Sequence, residues 1–200
     1  YTVTGRSKVY VNKVLQTISG EYFKNYQIKK VHRNNSSVRL YYGSSDEYFD
    51  YDHVVFATHA DDTLKLIKNP TDNEKNFLSN FKYKKNFAYL HTDNYFMPKN
   101  KNLWSSWNSI LDKNDLNKNC VTYWLNKLQN LKTSKDYFLT LDPMAEIDNK
   151  KIIKKVEFTH PFYDMETVKT QKHLSSLQGV NNSWFCGSYF GYGFHEDALK

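Results

Sequence analysis

Between residues 7 and 19 the apolar positions Val11, Val14, Leu15 and Ile18 recur at i, i+3, i+4 and i+7. That spacing predicts an amphipathic helix with Ser7 as its N-cap and Gly20 as its stop. Residues 26–33, 37–42 and 47–51 read as short strands, broken by the turn chemistry of Asn34-Asn35-Ser36 and Gly43-Ser44-Ser45. Val54-Val55-Phe56-Ala57 is a continuous apolar run, the pattern of a strand covered on both faces, and Asp61 or Asp62 can cap a following helix carrying Leu64 and Ile67. The first third of the chain is thus a helix, a meander, a buried strand and a helix.

Asn69-Pro70-Thr71-Asp72 is the clearest punctuation in the chain, and the composition turns aromatic and asparagine-rich after it, which predicts a boundary near Pro70. Thr71 to Asn80 reads as a short capped helix. Phe87–Thr92, Cys120–Leu125, Tyr137–Leu141 and Ile153–His160 are β-rich and predict an antiparallel sheet, with Trp104 and Trp107 in a loop-like stretch from Met97 to Asp115. Glu166 to Gln178 has helical spacing of Val168, Gln171, Leu174 and Leu177 and stops at Gly179. A short buried strand, Ser183-Trp184-Phe185-Cys186, then leads through a glycine-rich turn, Gly187 to Gly193, into a helix start at Phe194 to Leu199.

Composition narrows the class. In 200 residues, 40% are hydrophobic, 16% aromatic and 24% charged, which excludes a disordered tail, a collagen-like repeat and a disulfide scaffold. A chain of this length buries about 70% of its unfolded surface. No apolar stretch is long enough to cross a bilayer, and Tyr1 to Arg6 has no signal-peptide pattern. Cys120 and Cys186 lie far apart, outside any CxxC pair, which fits a reducing, cytoplasmic compartment. The net charge is +7, yet Arg6, Arg33 and Arg39 are the only arginines, and the lysines form no dense stripe, so nucleic acid is not the expected partner. The chain opens without Met and in mid-pattern, and reads as a piece of a longer protein.

Several motifs are excluded. His195-Glu196 lacks the second histidine of HExxH, because Leu199 stands there, and the seven histidines show no metal spacing, so no metal is expected. Neither GxSxG nor a Walker A loop occurs. What remains is the stretch from Gly187 to Asp197. Glycines between a buried strand and a helix let backbone amides approach a ligand, although Glu196 occupies the third position of a GxGxxG pattern. His59 lies just past a buried strand, where open α/β sheets place ligands. Trp104, Trp107, Tyr123 and Trp124 fit an apolar pocket or a core, and Asn86, Asn108 and Asn126 are polar groups for either.

Taken together, segments along the whole chain resemble the FAD-dependent amine oxidoreductase superfamily of amine oxidases, protoporphyrinogen oxidase and phytoene desaturases. Within it they are similar to the bacterial branch described as predicted NAD/FAD-binding proteins. The segments are Thr2 to Val11, Phe49 to Asp61, Leu90-His91-Thr92-Asp93, Met97-Pro98, Trp104 to Asn108, Val121 to Asn126, Trp184 to Gly187 and Gly191 to Asp197. The resemblance implies an α/β protein, α+β within this piece, in which FAD-binding portions (1–68 and 166–200) alternate with an antiparallel-sheet substrate domain (69–165). It places the backbone near Val31 at the adenine end of FAD, and returns Ala57-Thr58-His59 toward the cofactor. Gly187, Ser188, Gly191, Gly193 and the helix at Phe194, His195 and Glu196 lie against the ribityl chain and isoalloxazine.

On this reading His59, Tyr192 and His195 are the candidates for a catalytic role, and His91, Trp104, Trp107, Asn108, Tyr123 and Trp124 for substrate contact. Two departures stand out: the N-terminal GxGxxG is absent, and Ser188 follows Gly187 where amine oxidases often carry an acid. The implied activity is hydride transfer from an organic, acyl-lipid substrate to flavin, with peripheral membrane contact at a basic surface. The alternatives are an amine or amino-acid oxidase, and a non-catalytic module gripping an acyl or anionic partner.

Overall fold

The computed structural model describes residue 3 and residues 5–43, 47–115 and 118–199. Thr2 and Thr4 of the opening segment, and Ser44 and Ser45 of the expected turn, lie outside the described residues. In chain order the elements are α1 (Ser7–Thr17), β1 (Ile28–Arg33), β2 (Val38–Tyr42), β3 (Tyr48–Tyr51), β4 (Val54–Phe56), α2 (Ala60–Leu66) and α3 (Asp72–Leu78), then β5 (Lys82–His91), β6 (Trp107–Leu111) and β7 (Asn119–Trp124). They continue with α4 (Leu125–Leu128), β8 (Phe138–Leu141), β9 (Ile152–Phe162), α5 (Met165–Gln171) and β10 (Ser183–Phe185). The chain forms two compact units, one of Tyr1–Glu21 with Lys85–Thr159, the other of Tyr22–Lys84 with His160–Lys200. Pro70 lies inside the second unit, where it leads into α3, and the chain passes between units within β5 and β9.

The first unit is built on a five-stranded sheet of order β6-β7-β8-β5-β9. Its register aligns Trp107, Tyr123, Leu139 and Leu90 across β6, β7, β8 and β5 on one face. The adjacent row, Asn108, Thr122, Thr140 and Tyr89, lies on the other face, because side chains alternate along each strand. That second face carries the unit's core, with Phe96, Cys120 and Ile147 in one cluster and Met97, Trp104 and Phe138 in another.

The second unit packs the antiparallel meander β1-β2-β3 and the parallel pair β4-β10 with α2, α3 and α5. Val31, Val38, Phe56, Leu78, Phe81, Leu174, Phe185 and Tyr189 form its core. Inside this core sits a buried ion pair: Arg33 donates to both Glu74 carboxylate oxygens, at 2.6 and 2.8 Å, and to the Ser183 hydroxyl at 2.9 Å. Glu74 also completes a capping box with Thr71 at the start of α3. One carboxylate therefore joins the meander, α3 and β10. On the outer edge of β10, the Gln178 side chain donates to the Phe185 carbonyl and accepts the Phe185 N–H, both at 2.8 Å.

The predicted elements are found with several differences, one of them a strand, β6, within the Met97–Asp115 stretch expected to be loop-like. Arg6, not Ser7, precedes α1, and no residue of α1 is fully buried: Leu15 of the apolar stripe is half-buried, while Val11, Val14 and Ile18 are exposed. His59 is the N-cap of α2, leaving Asp61 and Asp62 in its first turn, where their charge suits the positive helix end. Phe56 is buried but Val55 is 62% exposed, because β4 pairs with β10 alone among the described strands and Val55 faces a cleft. The helix expected over 166–178 ends as α5 at Gln171 and resumes as a 3-10 turn, Leu174–Leu177. Ser175 and Ser176 are weak helix formers, and three residues per turn bring Leu174 and Leu177 together into the core. Among the described residues no helix is long and apolar enough to cross a membrane.

Burial alone would raise the Glu74 carboxyl, but the Arg33 guanidinium and the Thr71 donors hold it below the ordinary glutamate value. A carboxyl lowered in the folded state stabilises above its unfolded pKa, and that contribution is lost as pH falls through the carboxylate range. Glu74→Gln is expected to cost about 3–5 kcal/mol in urea unfolding at pH 7, since it leaves the guanidinium buried without its counter-charge. The loss should shrink toward pH 3, and an unchanged midpoint at pH 7 would show that the pair is dispensable.

Candidate functional site

The parallel strands β4 and β10 run in register, Val54 beside Ser183 and Phe56 beside Phe185, and the Cys186 N–H donates to the Phe56 carbonyl at 2.9 Å. Their carboxyl ends therefore lie side by side, which brings Ala57-Thr58-His59 next to Cys186-Gly187-Ser188. Ligands bind at this end of open parallel sheets. The Thr58 hydroxyl pairs with the Thr63 hydroxyl at 2.7 Å, and the His59 ring stacks on Tyr83 at 4.3 Å and 15°. The Tyr83 hydroxyl accepts the Ala60 N–H, and burial pushes it up to about 12. His59, Asp61 and Asp62 place ligand atoms within 4.8 Å of one another, but the Lys65 ammonium already bridges both carboxylates at 2.9 Å.

At the end of β10 the backbone is bare of side chain. A Cβ on Gly187 would fall 2.5 Å from the Tyr189 ring, so only glycine fits beneath that ring. Tyr189 is buried, its hydroxyl has no partner among the described residues, and burial pushes its pKa well above that of an ordinary phenol. The Tyr163 hydroxyl donates to the Ser188 carbonyl at 3.2 Å, and Gln171 donates to the Tyr189 and Gly191 carbonyls. Val31, on β1, has its side chain in the core and its carbonyl accepting the Lys68 N–H.

The terminal segment differs from expectation. No α-helix starts at Phe194, and a single 3-10 turn, Glu196–Ala198, stands in its place. The Asp197 carboxylate accepts the Tyr192 and Phe194 N–H groups at 3.0 Å, so amides expected to face a ligand close the turn on itself. A Cβ at Gly191 would collide with that carboxylate, and Gly193 has φ +94°, in the region that favours glycine. These glycines shape the turn. Tyr192 is 88% exposed, and Phe194, His195 and Glu196 are exposed beside it.

In the first unit the predicted substrate residues divide. His91 is buried, its Nδ1 accepts the Asp93 N–H at 3.1 Å, and its Nε2 therefore donates to Thr140 at 2.7 Å, which continues to Thr122 at 2.8 Å. Burial holds the imidazole below its ordinary pKa and so neutral. Asn108 is buried with both side-chain ends bonded to Ser105. The Trp104 indole donates to the Pro98 carbonyl, and Trp124 donates to Asp136. These four are tied into the fold. Trp107, 64% exposed, packs edge-on against Tyr123 at 5.0 Å, and this pair faces outward from the opposite side of the sheet.

No family model matches the chain, and no curated protein matches it. Solved structures do. A CLA-producing fatty acid isomerase from P. acnes superposes with a TM-score of 0.66 at 13% identity, covering 96% of this chain and 49% of that one. A triple mutant of putrescine oxidase, from a redesign of its cofactor binding, gives 0.64 at 9% identity over 98% and 50%. Cyclohexylamine oxidase from Brevibacterium oxydans gives 0.52 at 9% over 84% and 43%. The chain thus shares the fold of these structures and spans about half the length of each. It is the fold implied by the resemblance in the sequence.

Gly187→Ala is expected to displace the Tyr189 ring and lower the thermal midpoint by several degrees, whereas Gly20→Ala, with nothing within 4 Å of the new methyl, should leave it unchanged. Equal midpoints for the two variants, by differential scanning calorimetry, would show that the strand end does not require glycine.

Proposed function

We propose that this chain is part of an FAD-dependent oxidoreductase, which takes a hydride from an organic substrate. The observation that carries the reading is the pairing of β4 with β10, which sets Ala57-Thr58-His59 beside Gly187-Ser188 at the carboxyl ends of parallel strands. The fold likeness to oxidases, one of them redesigned in its cofactor binding, supports the same reading. In this assignment Ala57, Thr58, Gly187 and Ser188 hold the cofactor, and the β1–β2 hairpin at Val31 meets its adenine end. The flavin, when bound, is the hydride acceptor.

His59, fixed by its stack on Tyr83 and its position ahead of α2, is the side chain best placed to orient a reacting group. The amides of the terminal turn are not part of the assignment, since the Asp197 carboxylate accepts those of Tyr192 and Phe194. The neighbours' names divide between a fatty acid and amines. The apolar row of Leu90, Leu139, Tyr123 and Trp107 in the first unit favours an acyl chain.

The visible absorption spectrum of the complete protein, before and after denaturation, tests this directly. Near-stoichiometric released flavin is the expected result, and a protein that stays colourless after reconstitution with FAD would overturn the reading. In the flavin-loaded protein, His59→Ala is expected to slow anaerobic flavin reduction about tenfold or more while shifting the thermal midpoint little. Matching losses in both would make His59 a structural residue only.

A further inference from the structure

We propose that the first unit carries a binding site for a long-chain carboxylate, its head held by Arg6 and Lys132 and its tail laid across the sheet. As a substrate site it rests on the flavoenzyme reading; as a binding site it stands on its own. A cavity of about 400 Å³ opens beside β5 and α4, within the usual size range of ligand pockets. Half-buried Leu90, Leu125, Leu131 and Tyr137 form its walls, and exposed Arg6 and Lys132 stand at its rim. No carboxylate lines it. Among the described residues neither Arg6 nor Lys132 is in an ion pair. Asp136, close to Lys132 in sequence, is committed to Lys101 and the Trp124 indole.

Leu90 belongs to this cavity and also begins the row Leu90, Leu139, Tyr123, Trp107 across four adjacent strands. Strands lie about 4.8 Å apart, so the row extends roughly 14 Å, the reach of a long acyl tail. Two cations at one end of an apolar track select an anionic amphiphile. An alkylamine would meet like charge, and a free phosphate would leave the track unused.

Calorimetric titration of the complete protein with decanoate, dodecanoate, tetradecanoate, dodecanol and dodecylamine tests the site. Affinity should rise about two- to fourfold per added methylene, and dodecanoate should bind about tenfold tighter than dodecanol, the worth of one charge-assisted contact. Dodecylamine should not bind. Lys132→Ala should weaken dodecanoate several-fold, the Arg6→Ala, Lys132→Ala double variant should bring it to the level of dodecanol, and Trp107→Ser should flatten the chain-length series while keeping the preference for the carboxylate. All three positions are exposed, so the variants should fold. Dodecylamine binding as tightly as dodecanoate, or no change in Lys132→Ala, would overturn the proposal. Flavin content of the same sample separates the two readings. A flavin-free protein that binds dodecanoate loses the enzyme assignment and keeps the site, whereas a flavin-loaded protein indifferent to dodecanoate loses the site alone.

Discussion

The second unit depends on one buried carboxylate. Glu74 carries a negative charge where the core would otherwise be apolar, and is tolerated there because Arg33 meets both of its oxygens and Thr71 supplies a third donor. The three groups come from a strand, a helix and the loop ahead of that helix, and Ser183 on β10 extends the network to the parallel pair. Burying such charges is costly unless every lone pair is met, so the network forms only when the meander, α3 and β10 are all in place. The strand ends bearing Thr58 and Gly187 are positioned by the same closure.

Local pattern made most of the strands legible. The run Cys120–Leu125 becomes Asn119–Trp124, and Phe87–Thr92 falls on a longer strand, Lys82–His91, because alternation is written into consecutive residues. The short capped helix from Thr71 was readable, but the partnership of Glu74 with Arg33 was not, since no local rule links a strand residue to a helix far along the chain. The terminal turn failed for the opposite reason. Acids early in a helical pattern usually stabilise a helix start, and here Asp197 folds back onto the amides of Tyr192 and Phe194 instead.

The candidate site shows the same division. That Ala57-Thr58-His59 and Gly187-Ser188 belong together was implied by the family resemblance, whereas the two short apolar runs by themselves read only as two separate buried strands. The fate of the aromatic and amide residues did not follow. Trp107 faces outward because of the register of β6, whereas Trp104 lies ahead of that strand and is buried by the packing of its own loop against Met97 and Phe138. Lys132 carried no signal in the sequence, because twenty-five lysines mask any one that matters, and Arg6 meets the cavity only through the fold.

Gln178 adds a constraint on growth. By donating to the carbonyl and accepting the N–H of Phe185, its amide presents to β10 what a neighbouring strand would present, and it occupies the backbone pair that faces away from β4. One edge of the parallel pair is thereby finished with a side chain. Any further strand of that sheet has to enter along β4, so a single glutamine gives the sheet a direction in which it can be extended and one in which it cannot.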